Sequence, residues 1–404
     1  MNSSLLLASG VLLLYCLFYL SRKRRCVPLP PGPKGLPLIG NLWNISTEYP
    51  WITYARWATI YGDVLYLDTP GNPTVVLNSA QAAADLFERR SRNYSDRPEL
   101  DTSADVSPIF STPCSSGLLF RGNESNICLQ QLHKSPDALV RHVRHHSGSI
   151  IMKTVYGYVG NPNGNRFVEL VDRSLESIRI IGNVGSFLVD YIPDFPPYEG
   201  WILGAKFVSL ADVWRKDVED MKEGPFKYAL ESLVNGLAPS SFVSVNLKKM
   251  KETGTSENVT QLEIIRNTAG VAFAGVDTAC FHLCASFTEV SLIAEKTVSV
   301  VLSAILAFVL YPELPDVDAI LLEALRWNPV LPRGIAHRSI KGDVYRGHYI
   351  LAGATVIGNV WTIPHDERDY PNPLVFNPDR FMSEDWKEPQ PEPIAAFGFG
   401  RRCV

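Results

Sequence analysis

The clearest hydrophobic pattern lies at the amino terminus, where Leu5 to Leu20 is an unbroken run of apolar and small residues. A basic cluster, Arg22 to Arg25, follows at once. A helix of this length reaches roughly 24 Å, slightly less than the ~30 Å hydrocarbon core of a bilayer, and Tyr15 and Tyr19 can lie in the interface. A cleaved signal peptide has its basic residues before the apolar run, which is the reverse order. The pattern therefore predicts a membrane-spanning signal anchor with the downstream chain in the cytosol.

After the basic cluster, the sequence predicts a proline-rich spacer, then a helix and a β-hairpin. Pro28–Pro33 is a proline-rich stretch that cannot form a helix or a sheet ladder, so it predicts a stiff spacer, either a plain linker or a rigid stalk. Helical periodicity covers Trp51–Tyr61. Val64–Leu67 and Thr74–Asn78 flank a proline- and glycine-containing turn and predict a β-hairpin.

Helical patterns account for most of the remaining chain. Ser79 is a typical N-cap for a helix that runs to Arg92. We therefore expect a mainly α fold with a minor β component, divided into a signal anchor (residues 1–27), a proline-rich hinge (28–42) and a catalytic domain (43–404). The other predicted elements are helices at 135–158, 165–190, 261–286 and 315–327, a polar loop at 248–259, and short extended pieces at 349–351 and 355–357 in the proline-rich segment 329–390.

Composition excludes several classes of protein. The net charge of -4 is too small to imply that the chain binds nucleic acid. Seven cysteines, scattered and odd in number, argue against a disulfide framework and for a reducing compartment. A hydrophobic content of 46% with 20% charged residues is that of a globular protein with some membrane character.

Candidate chemistry is concentrated at the carboxyl end, where Phe397–Cys403 reads Phe-Gly-Phe-Gly-Arg-Arg-Cys. A soft thiolate such as that of Cys403 is a suitable ligand for haem iron. The glycines let the backbone approach the macrocycle closely, and Arg401 and Arg402 can neutralise its propionates. The alternative interpretation is a basic tail with one buried cysteine.

A second motif, Ala274–Thr278, lies within the helix predicted at residues 261–286. Glycine in a helix lowers helix stability by roughly 1 kcal/mol relative to alanine, so the presence of Gly275 needs an explanation. One explanation is that a cofactor or dioxygen packs against the helix at this point. The hydroxyl of Thr278 can hold bound dioxygen, and the carboxylate of Asp277 can pass protons to it. The alternative is a helix-packing glycine followed by a capping pair.

Two further motifs carry opposite charges. Glu323 and Arg326 are three residues apart on one helix face, which is a weak signal by itself. Arg380 lies downstream in an Asn-Pro-Asp-Arg-Phe turn. Together and in this order, the four motifs resemble the cytochrome P450 family of haem-thiolate monooxygenases, of the fungal microsomal type.

The resemblance implies the P450 fold, haem b as the cofactor and Cys403 as the axial ligand of its iron. It also implies that Glu323, Arg326 and Arg380 form a buried charge network that locks the haem side of the protein. His337 is then expected to donate to a propionate. The alternative for His337 is a solvent-facing basic pair with Arg338. Phe397, in the ligand loop Phe397–Cys403, is a further expected haem contact.

The chain departs from the family pattern in three places. Counted from Phe397, the pattern puts the cysteine where this chain has Val404, so either the loop is one residue shorter or the ligand is missing. Residues 121–126 read as a polar turn where the family has a helix with a Trp-x-x-x-Arg motif. Only 44 residues separate Thr278 from Glu323, too few for the charged helices that the family has there. These departures predict an incomplete P450 fold from a truncated or misassembled gene product.

The expected activity is insertion of one oxygen atom of O2 into a small apolar organic substrate. Electrons would come from an NADPH-dependent cytochrome reductase, at the endoplasmic reticulum membrane. Three alternatives are an inactive remnant that binds haem poorly, an isomerase on the same scaffold, and an anchored carrier of apolar ligands. Asp277 and Thr278 disfavour the isomerase, which has no use for a proton relay to dioxygen.

Overall fold

The computed structural model of the chain is mainly helical with a small β-sheet component. It describes residues 27–36, 39–46, 48–69, 71–98, 123–135, 138–160, 167–171, 173–174, 206–254, 258–275, 315–382 and 390–400. Within these ranges, no helix is both long enough and apolar enough to cross a bilayer. The predicted anchor, Leu5–Leu20, lies outside them, and the boundaries of the three predicted segments stay predictions.

The proline-rich segment Pro28–Pro33 is bound to the sheet edges. The carbonyl of Pro28 accepts a hydrogen bond from the Tyr349 amide at 2.7 Å, and that of Pro31 accepts one from the Tyr66 amide at 2.9 Å. Proline has no N–H to donate but keeps its carbonyl, so such a stretch can pair only through its acceptors at an edge. In this structure the segment is therefore tied down at two points.

The helix and hairpin predicted near the amino terminus are confirmed. Helix α1 (Pro50–Tyr61) has proline in its first turn and ends at Gly62, whose φ of 96° suits glycine. Strands β1 (Val64–Leu67) and β2 (Thr74–Leu77) pair antiparallel, with Val64 opposite Leu77.

The sheet joins the two ends of the chain. β2 pairs in parallel with β6 (Thr355–Gly358), and β3 (His337–Arg338) pairs antiparallel with β6, which gives the strand order β1-β2-β6-β3. β4 (Asp343–Tyr345) and β5 (His348–Ile350) form a separate two-stranded hairpin. Residues of the first quarter and of the last quarter of the sequence thus share one core.

The helix predicted from Ser79 to Arg92 is present but interrupted. Ser79 caps it as expected, because its side chain accepts from the Ala82 amide. Helix α2 (Ala80–Ala83) then continues as a π-helical stretch, Ala84–Arg89, and ends in a short helix α3 (Ser91–Tyr94). The π-helical stretch buries Phe87, which the ligand loop contacts.

Two predictions of irregular structure are wrong. Helix α4 (Asn123–Lys134) begins within the stretch that was read as a polar turn. Helix α7 (Phe242–Glu252) covers the first half of the loop expected at 248–259. Its lysines lie on an exposed face, while Val243 and Met250 are buried and a Ser241–Ser244 capping box starts the helix, so the polar composition marked a helix face rather than a loop.

The π-helical stretch Met152–Tyr156 shares a second core with the helices at Lys206–Val234, Phe242–Glu252 and Val259–Ala274. Helix α8 (Val259–Ala274) is the described part of the helix predicted at 261–286. The other elements of the described chain are α5 (Leu139–Ile151), α6 (Lys206–Val234), α9 (Pro315–Trp327) and the 3-10 turns Ile363–His365, Pro378–Phe381 and Ile394–Phe397.

His365 gives this fold a dependence on pH. Its ring stacks on that of Trp361 with centroids 4.1 Å apart, and Nδ1 donates to the Trp361 carbonyl at 2.7 Å. Burial lowers the pKa of His365 from 6.5 to about 4. Between these values the unfolded chain binds a proton that the folded chain does not, so stability falls as the pH decreases from about 6.5 to about 4.

We expect His365→Phe, which keeps the stack on Trp361, to flatten the dependence of the unfolding free energy on pH in this window. Urea unfolding of both proteins between pH 4 and pH 7 measures the effect, and the difference between the two profiles separates His365 from the carboxylates that titrate nearby. Parallel profiles would show that His365 does not carry this dependence.

Candidate active site

Helix α9 brings together the first two predicted charges. Glu323 and Arg326 are three residues apart, so their side chains lie on one face of the helix. Arg326 Nε donates to Glu323 Oε2 at 2.6 Å, and its second nitrogen, Nη2, donates to Oε1 at 2.8 Å. Both side chains have 0% exposure, so this bidentate pair lies in the interior rather than on the surface.

The turn Pro378–Phe381 adds the third charge. Arg380 is 2% exposed, and its Nε lies 3.2 Å from the Glu323 carboxylate. The backbone N–H of Asn377 also donates to Glu323 Oε1, at 2.7 Å. One buried carboxylate therefore receives two guanidinium groups and an amide, and the three residues predicted from the sequence lie in one cluster.

The guanidinium groups also donate to the carbonyls of a proline-rich backbone segment, which has few N–H donors. Arg326 Nη1 donates to the carbonyls of Pro364 at 3.0 Å and Pro373 at 2.8 Å. Arg380 Nη1 donates to the carbonyl of Pro371 at 3.1 Å, and Nη2 to that of Val375 at 3.1 Å. Prolines supply no N–H, so arginine side chains provide the donors that a regular ladder would otherwise give.

The cluster is electrostatically interdependent. Burial lowers the pKa of Arg380, while the nearby Glu323 carboxylate opposes this effect. Removing one member of a buried ion pair costs about 3–5 kcal/mol, because the other charge stays buried without its partner. The network therefore stabilises this arrangement only as a complete set.

Two side chains that sequence reasoning missed connect this network to the ligand loop. The Tyr370 hydroxyl donates to the Pro391 carbonyl at 2.7 Å, and Arg380 Nη1 donates to Gln390 Oε1 at 3.1 Å. The Arg326 guanidinium lies 5.6 Å from the centre of the Tyr370 ring. Tyr370 stands in a proline-rich stretch without periodicity, so no local pattern could have marked it.

The described part of the ligand loop packs against the sheet core. After the turn Ile394–Phe397, Gly398 and Gly400 adopt φ values of 89° and 77°, which favour glycine. The ring of Phe399 lies 5.6 Å from that of Phe87, and a Cβ at Gly400 would lie 2.8 Å from the Phe87 carbonyl oxygen. Phe397, the aromatic residue singled out from the sequence, is 52% exposed.

His337 lies next to this contact. Its ring stacks on that of Phe87 with centroids 4.1 Å apart, and it is 5% exposed. Nδ1 lies 2.7 Å from the carbonyl oxygen of Tyr94, so this nitrogen carries a proton and donates. The alternative of a solvent-facing histidine is therefore wrong. Because Nδ1–H is bound to Tyr94, a bond from His337 to a carboxylate would require Nε2–H, that is, the imidazolium form.

The other predicted site residues lie outside the described part of the chain. They are Asp277, Thr278, Arg401, Arg402 and Cys403. The described helix α8 ends at Ala274, and the described loop ends at Gly400.

Comparison with known proteins identifies the family of the chain. The family model Cytochrome P450 matches residues 129–404. Cytochrome P450 monooxygenase ple1 of Rhodocybe pseudopiperita is 34% identical, over 95% of this chain and 80% of that protein. Cytochrome P450 monooxygenase 208 of Postia placenta is 31% identical, over 98% and 83%. Tryptamine 4-monooxygenase of Psilocybe cyanescens is 31% identical, over 98% and 86%. The chain belongs to the cytochrome P450 family of oxidoreductases, which are monooxygenases that use haem b as their cofactor.

Proposed function

We propose that this protein is a haem-thiolate monooxygenase that inserts one oxygen atom of O2 into a small apolar organic substrate. Electrons come from an NADPH-dependent cytochrome reductase. The anchor at Leu5–Leu20 holds the protein in the endoplasmic reticulum membrane with its catalytic domain in the cytosol. The observation that carries this proposal is the complete buried network of Glu323, Arg326 and Arg380, whose contacts extend to the segment that leads into the ligand loop.

The described residues are compatible with a haem in this position. No described residue lies within 4 Å of the point where a Cβ at Gly398 would be, so that face of the loop can receive a flat macrocycle. The opposite constraint applies at Gly400, where the backbone is pressed against Phe87. The described part of the loop is thus packed at Gly400 and open at Gly398, and the buried ring of His337 lies against Phe87 beside the packed end.

Each proposed site residue has a distinct task. Bound haem supplies the activation of O2. Cys403 provides the thiolate ligand, in a loop one residue shorter than the family pattern, and Arg401 and Arg402 neutralise the propionates. Asp277 and Thr278, beyond the end of α8, hold and deliver protons on the substrate side.

A second candidate is a P450 remnant that binds haem poorly. The observation that favours it is the sequence itself, because Val404 occupies the position of the family cysteine and helix α4 contains neither Trp nor Arg. The two candidates differ in one property that can be measured, which is whether a thiolate ligates the iron.

The absorption spectrum of dithionite-reduced, CO-treated protein tests the proposal. We expect a Soret band of the thiolate type in the wild-type chain and its loss in Cys403→Ser. Cys128→Ser is the matched control, since burial raises the pKa of Cys128 to about 11 and keeps it a thiol. A colourless wild-type protein after reconstitution with hemin would support the remnant, and a thiolate band unchanged in Cys403→Ser would show that Cys403 is not the ligand.

Arg326→Ala is expected to yield protein without haem. The substitution removes four donors from Glu323 and the proline carbonyls, at a cost of about 3–5 kcal/mol. The ratio of haem to protein after purification measures the effect. Arg368→Ala is the control, because Arg368 pairs with Asp366 at the surface of the same region, where an ion pair contributes about 0–1 kcal/mol. Normal haem content in Arg326→Ala would refute the role of the network.

Gly400→Ala and Gly398→Ala form a matched pair for the loop. Both place alanine at a positive φ, and at Gly398, where ψ is −161°, the backbone lies in a region that is essentially restricted to glycine. Only at Gly400 does the new Cβ also meet backbone, the Phe87 carbonyl oxygen at 2.8 Å. We expect haem to dissociate faster from Gly400→Ala than from Gly398→Ala, as measured by transfer to an apo acceptor protein. Equal rates would mean that the contact with Phe87 does not support the haem site.

A further inference from the structure

We propose that Tyr370 and Gln390 are positioning residues that fix the start of the iron-ligand loop, so that the Cys403 thiolate meets the haem iron in register. The inference rests on the proposed function of Cys403 and assigns a task to two side chains outside the charge network. Neither residue is proposed to touch the haem or the substrate. Their effect passes through the backbone from residue 390 to residue 400.

Tyr370 makes the more rigid of the two contacts. Its side chain is 4% exposed, and its hydroxyl donates to the Pro391 carbonyl at 2.7 Å. Residue 391 is a proline, so the carbonyl is its only backbone group able to form a hydrogen bond. Burial raises the pKa of Tyr370 to about 12, so the hydroxyl keeps its proton and remains a donor at working pH.

Gln390 connects the same point to the charge network. Its Oε1 accepts from Arg380 Nη1 at 3.1 Å, and Arg380 in turn contacts Glu323 at 3.2 Å. Two adjacent residues, 390 and 391, are thus held by a buried tyrosine and a buried arginine. The side chain of Gln390 is half-buried, so it adds a contact without filling the core.

The chain between this point and the ligand loop is short and internally bonded. The amides of Ile394, Ala396 and Gly398 donate to carbonyls two or three residues earlier, at 2.8–3.0 Å. At the far end Phe399 and Gly400 lie against Phe87. A segment bonded in this way transmits a displacement of its first residue to its last, whereas a flexible segment would absorb it.

The position of Cys403 in the sequence makes the support of the loop by Tyr370 and Gln390 important for iron ligation. The cysteine lies one position earlier than the family pattern, and one residue corresponds to as much as ~3.5 Å of chain. A ligand loop with one residue fewer has less freedom to correct an error at its start. Positioning from residues 390 and 391 is therefore a requirement for ligation in this chain.

Tyr370→Phe tests the inference directly, because it removes only the hydroxyl and keeps the ring beside Arg326. The probe is dithionite-reduced, CO-treated holoprotein, read as the ratio of the thiolate-type Soret band to the band of protein without thiolate ligation. We expect the ratio to fall by roughly fivefold, the factor that corresponds to one hydrogen bond of about 1 kcal/mol. Tyr345→Phe is the matched control, because it also removes a buried hydroxyl with a 2.7 Å bond, to Asp85 on the π-helical stretch. It should leave the ratio near the wild-type value.

Hydrogen exchange supplies a readout that does not depend on the haem. We expect the amides of residues 394–400 to exchange faster in Tyr370→Phe than in wild type or Tyr345→Phe. Gln390→Met is the second variant, expected to fold because Arg380 Nη1 keeps its bond to Pro371, and it should lower the ratio in the same direction. It decides the inference alone if Tyr370→Phe does not fold.

The outcomes separate this inference from the proposed function. A wild-type protein without a thiolate band contradicts the proposed function, and the positioning role with it. A wild-type band that Tyr370→Phe and Gln390→Met both retain, with unchanged exchange at residues 394–400, overturns the positioning role alone. Equal losses in Tyr370→Phe and the Tyr345→Phe control would mean a general loss of stability and would also overturn it.

Discussion

The buried carboxylate of Glu323 is the group on which the carboxyl-terminal part of the structure depends. It receives two buried guanidinium groups and a backbone amide. A charge in the interior is tolerated only when it is paired and fully hydrogen-bonded. Glu323, Arg326 and Arg380 can therefore all be paired and hydrogen-bonded in only one relative arrangement of their segments. These segments are α9, the turn at Pro378–Phe381 and the chain between them.

The prolines of that segment explain why arginines are used. Pro364, Pro371 and Pro373 remove backbone donors from this stretch, so a regular ladder is not available to it. Guanidinium groups carry five N–H donors each in a fixed geometry, and here they reach several carbonyls at once. Lysine at either position would supply charge without this geometry.

The sheet and the charge network act on the two ends of one short segment. Residues 390 and 391 are held from the network side, while Phe399 and Gly400 rest on Phe87, which also carries His337. The parallel pairing of β2 with β6 brings Phe87 and His337 into contact, although they are far apart along the chain. The geometry of a haem-ligand loop at this position is therefore set by two separate parts of the structure, the sheet core and the charge network.

The sequence alone determined the helical class, the amino-terminal hairpin, the Ser79 cap and the membership of Glu323, Arg326 and Arg380 in one cluster. The first three follow from local periodicity and turn residues, whereas the cluster was implied by the resemblance of its motifs to the P450 family. Sequence reasoning failed for α4, which begins within a polar stretch that was read as a turn, and for α7, where lysines on an exposed helix face looked like a loop. It also had no signal for Phe87, Tyr370 or Gln390. Phe87 contacts an aromatic ring, Tyr370 a carbonyl and Gln390 a guanidinium, and all three partners belong to other segments of the chain. Only the packing of those segments decides which side chains come into contact.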